Sequence, residues 1–115
     1  GGPVVLAGDE TAYPAIARIM ETLPDDVTGH VILLCHTGAR DYPFPECPNL
    51  TVHWTEKKGF VSATRDALSA TPECHAWIAA ERGQTGKITA LAELKAVPKS
   101  QRYVAGYWTS FKFEL

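Results

Sequence analysis

Apolar residues along this chain fall into five short blocks. Val4 to Ala7 is uniformly apolar, and "HVILLCH", His30 to His36, is a longer continuous run. Continuous runs suit strands of a parallel sheet covered on both faces. "LTVHW" (Leu50 to Trp54), "HAWIAA" (His75 to Ala80) and "YVAGYW" (Tyr103 to Trp108) complete the set. Between blocks the spacing changes. Ala12, Ala15, Ile16, Ile19, Met20 and Leu23 recur at helical intervals, and Pro24-Asp25-Asp26 ends that helix. Phe60, Val61, Thr64, Ala67 and Leu68 mark a second helix. Ile88, Leu91 and Leu94 mark a third, predicted to run unbroken to Val97-Pro98. Pro43, Pro45 and Pro48 exclude a regular helix between strands two and three. The alternation predicts one α/β domain over residues 1–115: a Rossmann-like three-layer sandwich on a five-stranded parallel sheet in the order 3-2-1-4-5.

The 115 residues are 45% hydrophobic, enough for a core without staples. A net charge of -2, with basic residues scattered, argues against nucleic acid as a partner. No apolar run is long enough for membrane insertion. Cys35, Cys47 and Cys74 are odd in number and irregular in spacing, so neither a disulfide framework nor a metal site is expected. A reducing cytoplasm fits them, and no signal-peptide pattern precedes the first strand.

In a doubly wound sheet, ligands sit beyond the carboxyl ends of the strands, where the strand order reverses. With strand one central, the loops there are Gly8-Asp9-Glu10-Thr11 and Glu81-Arg82-Gly83-Gln84-Thr85. Gly8 permits a tight exit from the strand, and Thr11 or Asp9 can cap the helix, as can Thr85 in the second loop. Neither a dinucleotide glycine motif nor a phosphate loop is present. Asp9 and Glu10 would repel a diphosphate, so the turn suits a ribose or a nicotinamide ring better. After strand two the candidates are His36, Thr37 and Arg40, with no carboxylate before Asp41. An arginine there tilts the reading toward NADPH over NADH.

Three segments together resemble the C-terminal domain of siderophore-interacting proteins, a family of FAD-containing ferric-siderophore reductases. "LAGDETAYPAIARIMETLP" resembles the family's "AGDETALPAI" turn and helix, "HAWIAAERG" its "WVAGE" segment, and "VPKSQRYVAGYW" its closing "LP…GYW" segment. The resemblance implies a ferredoxin-reductase-like nicotinamide-binding domain that packs against an N-terminal flavin-binding barrel, which is absent from this chain. NAD(P)H would reduce FAD, and FAD would reduce Fe(III) in a ferric siderophore, releasing iron. Gly8, Asp9, Glu10 and Thr11 would then border nicotinamide and ribose from one side, and Ala80, Glu81 and Arg82 from the other. Tyr107 and Trp108 would cover the flavin or the nicotinamide at the barrel-facing edge. No catalytic nucleophile, base or metal cluster is expected, and the chain alone should be inactive.

Two departures stand out. Ala80 replaces the glycine usual before the strand-four glutamate, and Thr109 replaces the arginine usual after "GYW". Lys57, Lys58 and Lys112 are the remaining cations that could meet a siderophore. Two rivals share the alternation. A receiver domain needs an aspartate after strand three, where this chain has Trp54-Thr55-Glu56-Lys57. A degenerate nucleotide fold serving only protein contacts needs no site at all.

Overall fold

The computed structural model describes residues 2–109. Its strands are β1 (Val4–Gly8), β2 (Gly29–Leu34), β3 (Leu50–Thr55), β4 (His75–Glu81) and β5 (Arg102–Trp108). They form one parallel sheet in the order β3-β2-β1-β4-β5, as the alternation predicts. The helices are α1 (Tyr13–Thr22), α2 (Phe60–Ala70), α3 (Arg82–Thr89) and α4 (Ala92–Lys95), with 3-10 turns at Glu10–Ala12 and Lys57–Gly59.

Each central strand divides its apolar side chains between two cores. Val5, Ala7, Ile32, Leu34, Ile78 and Ala80 face α2, α3 and α4, where Phe60, Leu68, Ile88 and Leu94 meet them. Val4, Leu6, Val31, Leu33 and Ala79 face α1. Burial on both faces explains the continuous apolar runs. Gly29 opens β2 at φ +147, and a Cβ there would lie 1.9 Å from the Val4 carbonyl oxygen, so only glycine lets β2 pair against β1 at this point.

Three local expectations change. β2 ends at Leu34 rather than His36, because the chain turns there into an exposed loop. The inward stripe of α1 is Tyr13, Ile16, Ala17 and Met20, rotated from the predicted one, with Ala15 and Ile19 only half-buried. The predicted third helix is two helices, broken at Leu91, whose backbone is extended. Ile88 and Leu94 are six residues apart, which a continuous helix of 3.6 residues per turn would place on different faces. The break lets both reach 1% exposure or less.

The proline-rich segment between β2 and β3 takes the place of a helix on the α1 face. Tyr42 and Phe44 pack edge-on against Tyr13, at ring separations of 5.5 and 5.3 Å, and Trp54 closes the cluster at 6.0 Å. The Tyr13 hydroxyl donates to the Leu34 carbonyl across 2.7 Å, fastening α1 to the end of β2. Tyr13→Phe should cost about 0.5–1.5 kcal/mol, the net worth of one such bond. Urea unfolding of the two proteins checks it, and equal midpoints would show that this bond contributes nothing.

Candidate functional site

The strand order reverses between β1 and β4, where α1 leaves toward one face and α3 toward the other, so the loops after these strands are where a crevice is expected. Asp9 organises it. Its residue is 0% exposed, and both carboxylate oxygens are occupied. Oδ1 accepts from the Thr11 amide at 3.0 Å and from the Thr11 hydroxyl. Oδ2 accepts from the Glu81 amide at 3.0 Å and from the Trp108 indole Nε1 at 2.8 Å. Four donors replace the water a buried carboxylate would otherwise need. Asp9 thus ties the ends of β1, β4 and β5 together, with both carboxylate oxygens engaged inside the fold.

Gly8 is needed for space rather than for its backbone freedom. A Cβ there would sit 2.7 Å from both the Ala12 Cβ and the Ala79 carbonyl oxygen, and its φ is not positive. Ala80, fully buried, points into the core on the α2 face, so neither residue offers a side chain to the crevice. Thr11 is exposed but bonded to Asp9. Glu81, not Thr85, caps α3 by accepting from the Gly83 amide. The Thr85 hydroxyl instead bonds back to the Arg82 carbonyl at 3.2 Å. Arg82 lays its stem over Gly106, where a Cβ would come within 2.4 Å of its Cγ.

The open rim consists of Glu10, His36 and Trp108. Glu10 Oε1 meets His36 Nδ1 at 2.7 Å, and Oε2 accepts from the His36 amide at 2.7 Å, joining the β1 turn to the loop after β2. Their side chains are 34% and 36% exposed. Burial pushes the Glu10 carboxyl up, but the hydrogen bonds and charge of His36 outweigh it and leave it below the ordinary value. The His36 ring meets the half-buried Trp108 edge-on at 6.2 Å.

Arg40 lies apart on the exposed loop after β2, at φ +52, with no side-chain hydrogen bond or ion pair among the described residues. That loop wraps the buried Cys35 thiol. The Thr37 hydroxyl, 3.5 Å from Sγ, and the Arg40 backbone hold the thiol down to about 7. Tyr107 is not in the crevice. It meets Trp77 edge-on, and Trp77 stacks on Tyr103 at 5.7 Å, on the α1 face of the sheet that α1 leaves bare. Tyr103 and Tyr107 are exposed there. Lys57 and Lys58 are exposed at the start of α2. Lys112 lies outside the described residues. Sequence reasoning missed the aromatic row, although Trp77, Tyr103 and Tyr107 sit at alternate positions of adjacent strands and so share one face.

Among the described residues no group of three or more His, Cys, Asp or Glu side chains could hold a metal, and no helix is long and apolar enough to cross a membrane. The sequence profile described as siderophore-interacting protein matches residues 3–110. The chain belongs to the siderophore-interacting protein family. A mycobactin import ATP-binding/permease protein of Mycolicibacterium smegmatis is 30% identical over 109 residues, which are 91% of this chain and 13% of that protein. The siderophore-interacting protein SipS of Aeromonas hydrophila shares the fold at a TM-score of 0.78 and 22% identity, over 97% of this chain and 48% of that one. The siderophore-interacting protein of Acinetobacter baumannii gives 0.79 and 23%, over 94% and 46%. A siderophore utilization protein from T. fusca gives 0.73 and 25%, over 98% and 47%. This siderophore-interacting domain therefore spans about half the length of those structures.

Two outcomes follow from the site of this family member. Asp9→Asn keeps the shape but presents an amide to donors, so stability should fall by about 1.5–3 kcal/mol, the range for a bond to a charged group. Tryptophan emission should shift red as Trp108 is released, and unchanged unfolding and emission would refute the tie. Cys35, with its folded pKa depressed to about 7, is stabilised as a thiolate in the folded chain. Its contribution is complete above the ordinary thiol value near 8.5 and is lost as pH falls through 7. Cys35→Ser should therefore abolish a gain in stability between pH 7 and 8.5, measurable by urea unfolding across that range.

Proposed function

We propose that this chain is the nicotinamide-nucleotide-binding domain of a flavin-dependent ferric-siderophore reductase of the cytoplasm. Family membership supports a siderophore-related role. The observation that carries the nucleotide reading is the cluster of Glu10, His36 and Trp108 at the reversal of strand order, braced by Asp9. The span of about half of the related structures supports a flavin-binding barrel as the partner.

The residues suit one end of a nicotinamide nucleotide. Glu10 and His36 offer exposed polar atoms for ribose hydroxyls or a carboxamide, and the Trp108 indole offers an aromatic face held in orientation by its bond to Asp9. The start of α1 does not suit a diphosphate, because the Asp9 carboxylate already occupies the Thr11 amide and Glu10 adds charge beside it. Arg40, whose guanidinium is unpaired among the described residues, is the candidate for the extra phosphate of NADPH. A bound NAD(P)H would supply the hydride that FAD accepts and passes on as electrons to Fe(III) in the siderophore. The chain's own part is binding, orientation and exclusion of water. The name of the mycobactin importer links a related segment to siderophore uptake, which agrees with this reading.

The test compares the 115-residue chain with a full-length family member carrying it. The chain alone, with NADPH and a ferric siderophore, should yield no Fe(II), while the flavin-loaded whole protein should. Trp108→Ala in the whole protein should lower kcat/KM for NAD(P)H by about 2- to 10-fold, for the loss of a stacking contact of about 0.5–1.5 kcal/mol. Ferric reduction by the chain alone, or a whole protein that does not oxidise NAD(P)H, would overturn the proposal.

A further inference from the structure

Two histidines meet away from the loops after β1 and β4. His30 lies near the start of β2, and His53 lies in β3, which forms one edge of the sheet. His53 pairs in register with Ile32, two residues beyond His30. Side chains alternate along a strand, so both rings stand on the face where Ile32 meets the helical core. His30 Nδ1 and His53 Nε2 approach to 2.9 Å, with ring centroids 5.1 Å apart and planes inclined by 31°.

Both rings are half-buried, and this contact is the one side-chain hydrogen bond that either makes among the described residues. Neither joins an ion pair there. A hydrogen bond between two imidazoles needs a donor and an acceptor, so at least one ring is neutral. No second partner fixes the tautomer of either ring. When the donating ring carries its hydrogen on the far nitrogen instead, two lone pairs face each other across the gap. A single cation can then take the place of the shared proton.

The spacing suits a metal ion. Bonds of about 2.0–2.1 Å from imidazole to metal put two ligand nitrogens about 2.9 Å apart at a right angle and about 3.3 Å apart at the tetrahedral angle. The observed 2.9 Å falls at the short end of that range, and small ring rotations cover the rest. The ladders from β1 to β2 and from β2 to β3 hold the backbone beneath both rings, so the ligands are positioned before any ion arrives.

We infer that His30 and His53 form a two-imidazole site for a divalent first-row transition ion such as zinc or copper, with water completing the coordination. Imidazole suits these ions, whereas magnesium prefers oxygen ligands. No third His, Cys, Asp or Glu joins the pair among the described residues, so the site is open and binds more weakly than a closed four-ligand site. A bound ion straps the edge strand to β2, and β3 also carries Trp54, which packs against Tyr13. The site does not rest on the function proposed above.

The experiment titrates the 115-residue chain with zinc chloride, following the histidine rings by NMR and affinity by calorimetry. The His30 and His53 rings should move together and saturate at one equivalent. The His53→Gln variant should bind zinc at least about tenfold more weakly, since the second ligand on a shared frame acts at high effective concentration. His75→Gln, which removes an exposed histidine outside the pair, should bind as the parent does. Zinc should raise the urea midpoint of the parent and not of His53→Gln, and magnesium should leave both rings unmoved. If His53→Gln does not fold, the joint movement of the two rings in the parent decides. Equal zinc affinity in the parent and His53→Gln, movement of one ring without the other, or an equal response to magnesium would overturn the inference.

Discussion

A single buried carboxylate holds the working end of this domain together. Parallel strands end independently, and nothing in the sheet ladder fixes how their exit loops sit relative to one another. Asp9 does so with four accepted hydrogen bonds, reaching 72 residues along the chain to the Glu81 amide and 99 residues to the Trp108 indole. A charge in that position is sustainable only while every bond is made, since removing a donor would leave a buried charge short of partners. The turn, the start of α3 and the last strand are therefore positioned as one unit.

That arrangement has a chemical consequence. Asp9 and Glu81 satisfy helix starts with their own carboxylates, and polar and aromatic groups stay at the surface beside them. The start of α2 is left uncapped, and the lysines gather beside it.

The two faces of the sheet are unequally covered. On one, α2, α3 and α4 bury β4 and pack against Val104 of β5. On the other, α1 and the aromatic proline-rich segment cover β1, β2 and part of β3, and the row of Trp77, Tyr103 and Tyr107 along β4 and β5 stays open. The same alternation that packs half-buried Val104 against the helical core turns Tyr103 outward.

Composition, block spacing and the three family-like segments were enough to determine the parallel α/β architecture, the strand order and the family, because apolar periodicity and turn residues are local properties. They also pointed to the loops after β1 and β4, since strand topology dictates where the strand order reverses. Residue roles within it were not legible. Asp9 read as a ligand contact because its distant donors, Glu81 and Trp108, are invisible along the chain. Gly8 read as a residue permitting a tight exit from the strand, because the crowding by Ala12 and Ala79 exists only once α1 lies on the sheet. Tyr107 read with Trp108, but the register between β4 and β5 shifts there, leaving Tyr107 without a partner and setting Trp108 opposite Glu81. The break at Leu91 escaped notice because Ile88 and Leu94 are both apolar. Only packing against a common core decided that one straight helix could not bury both.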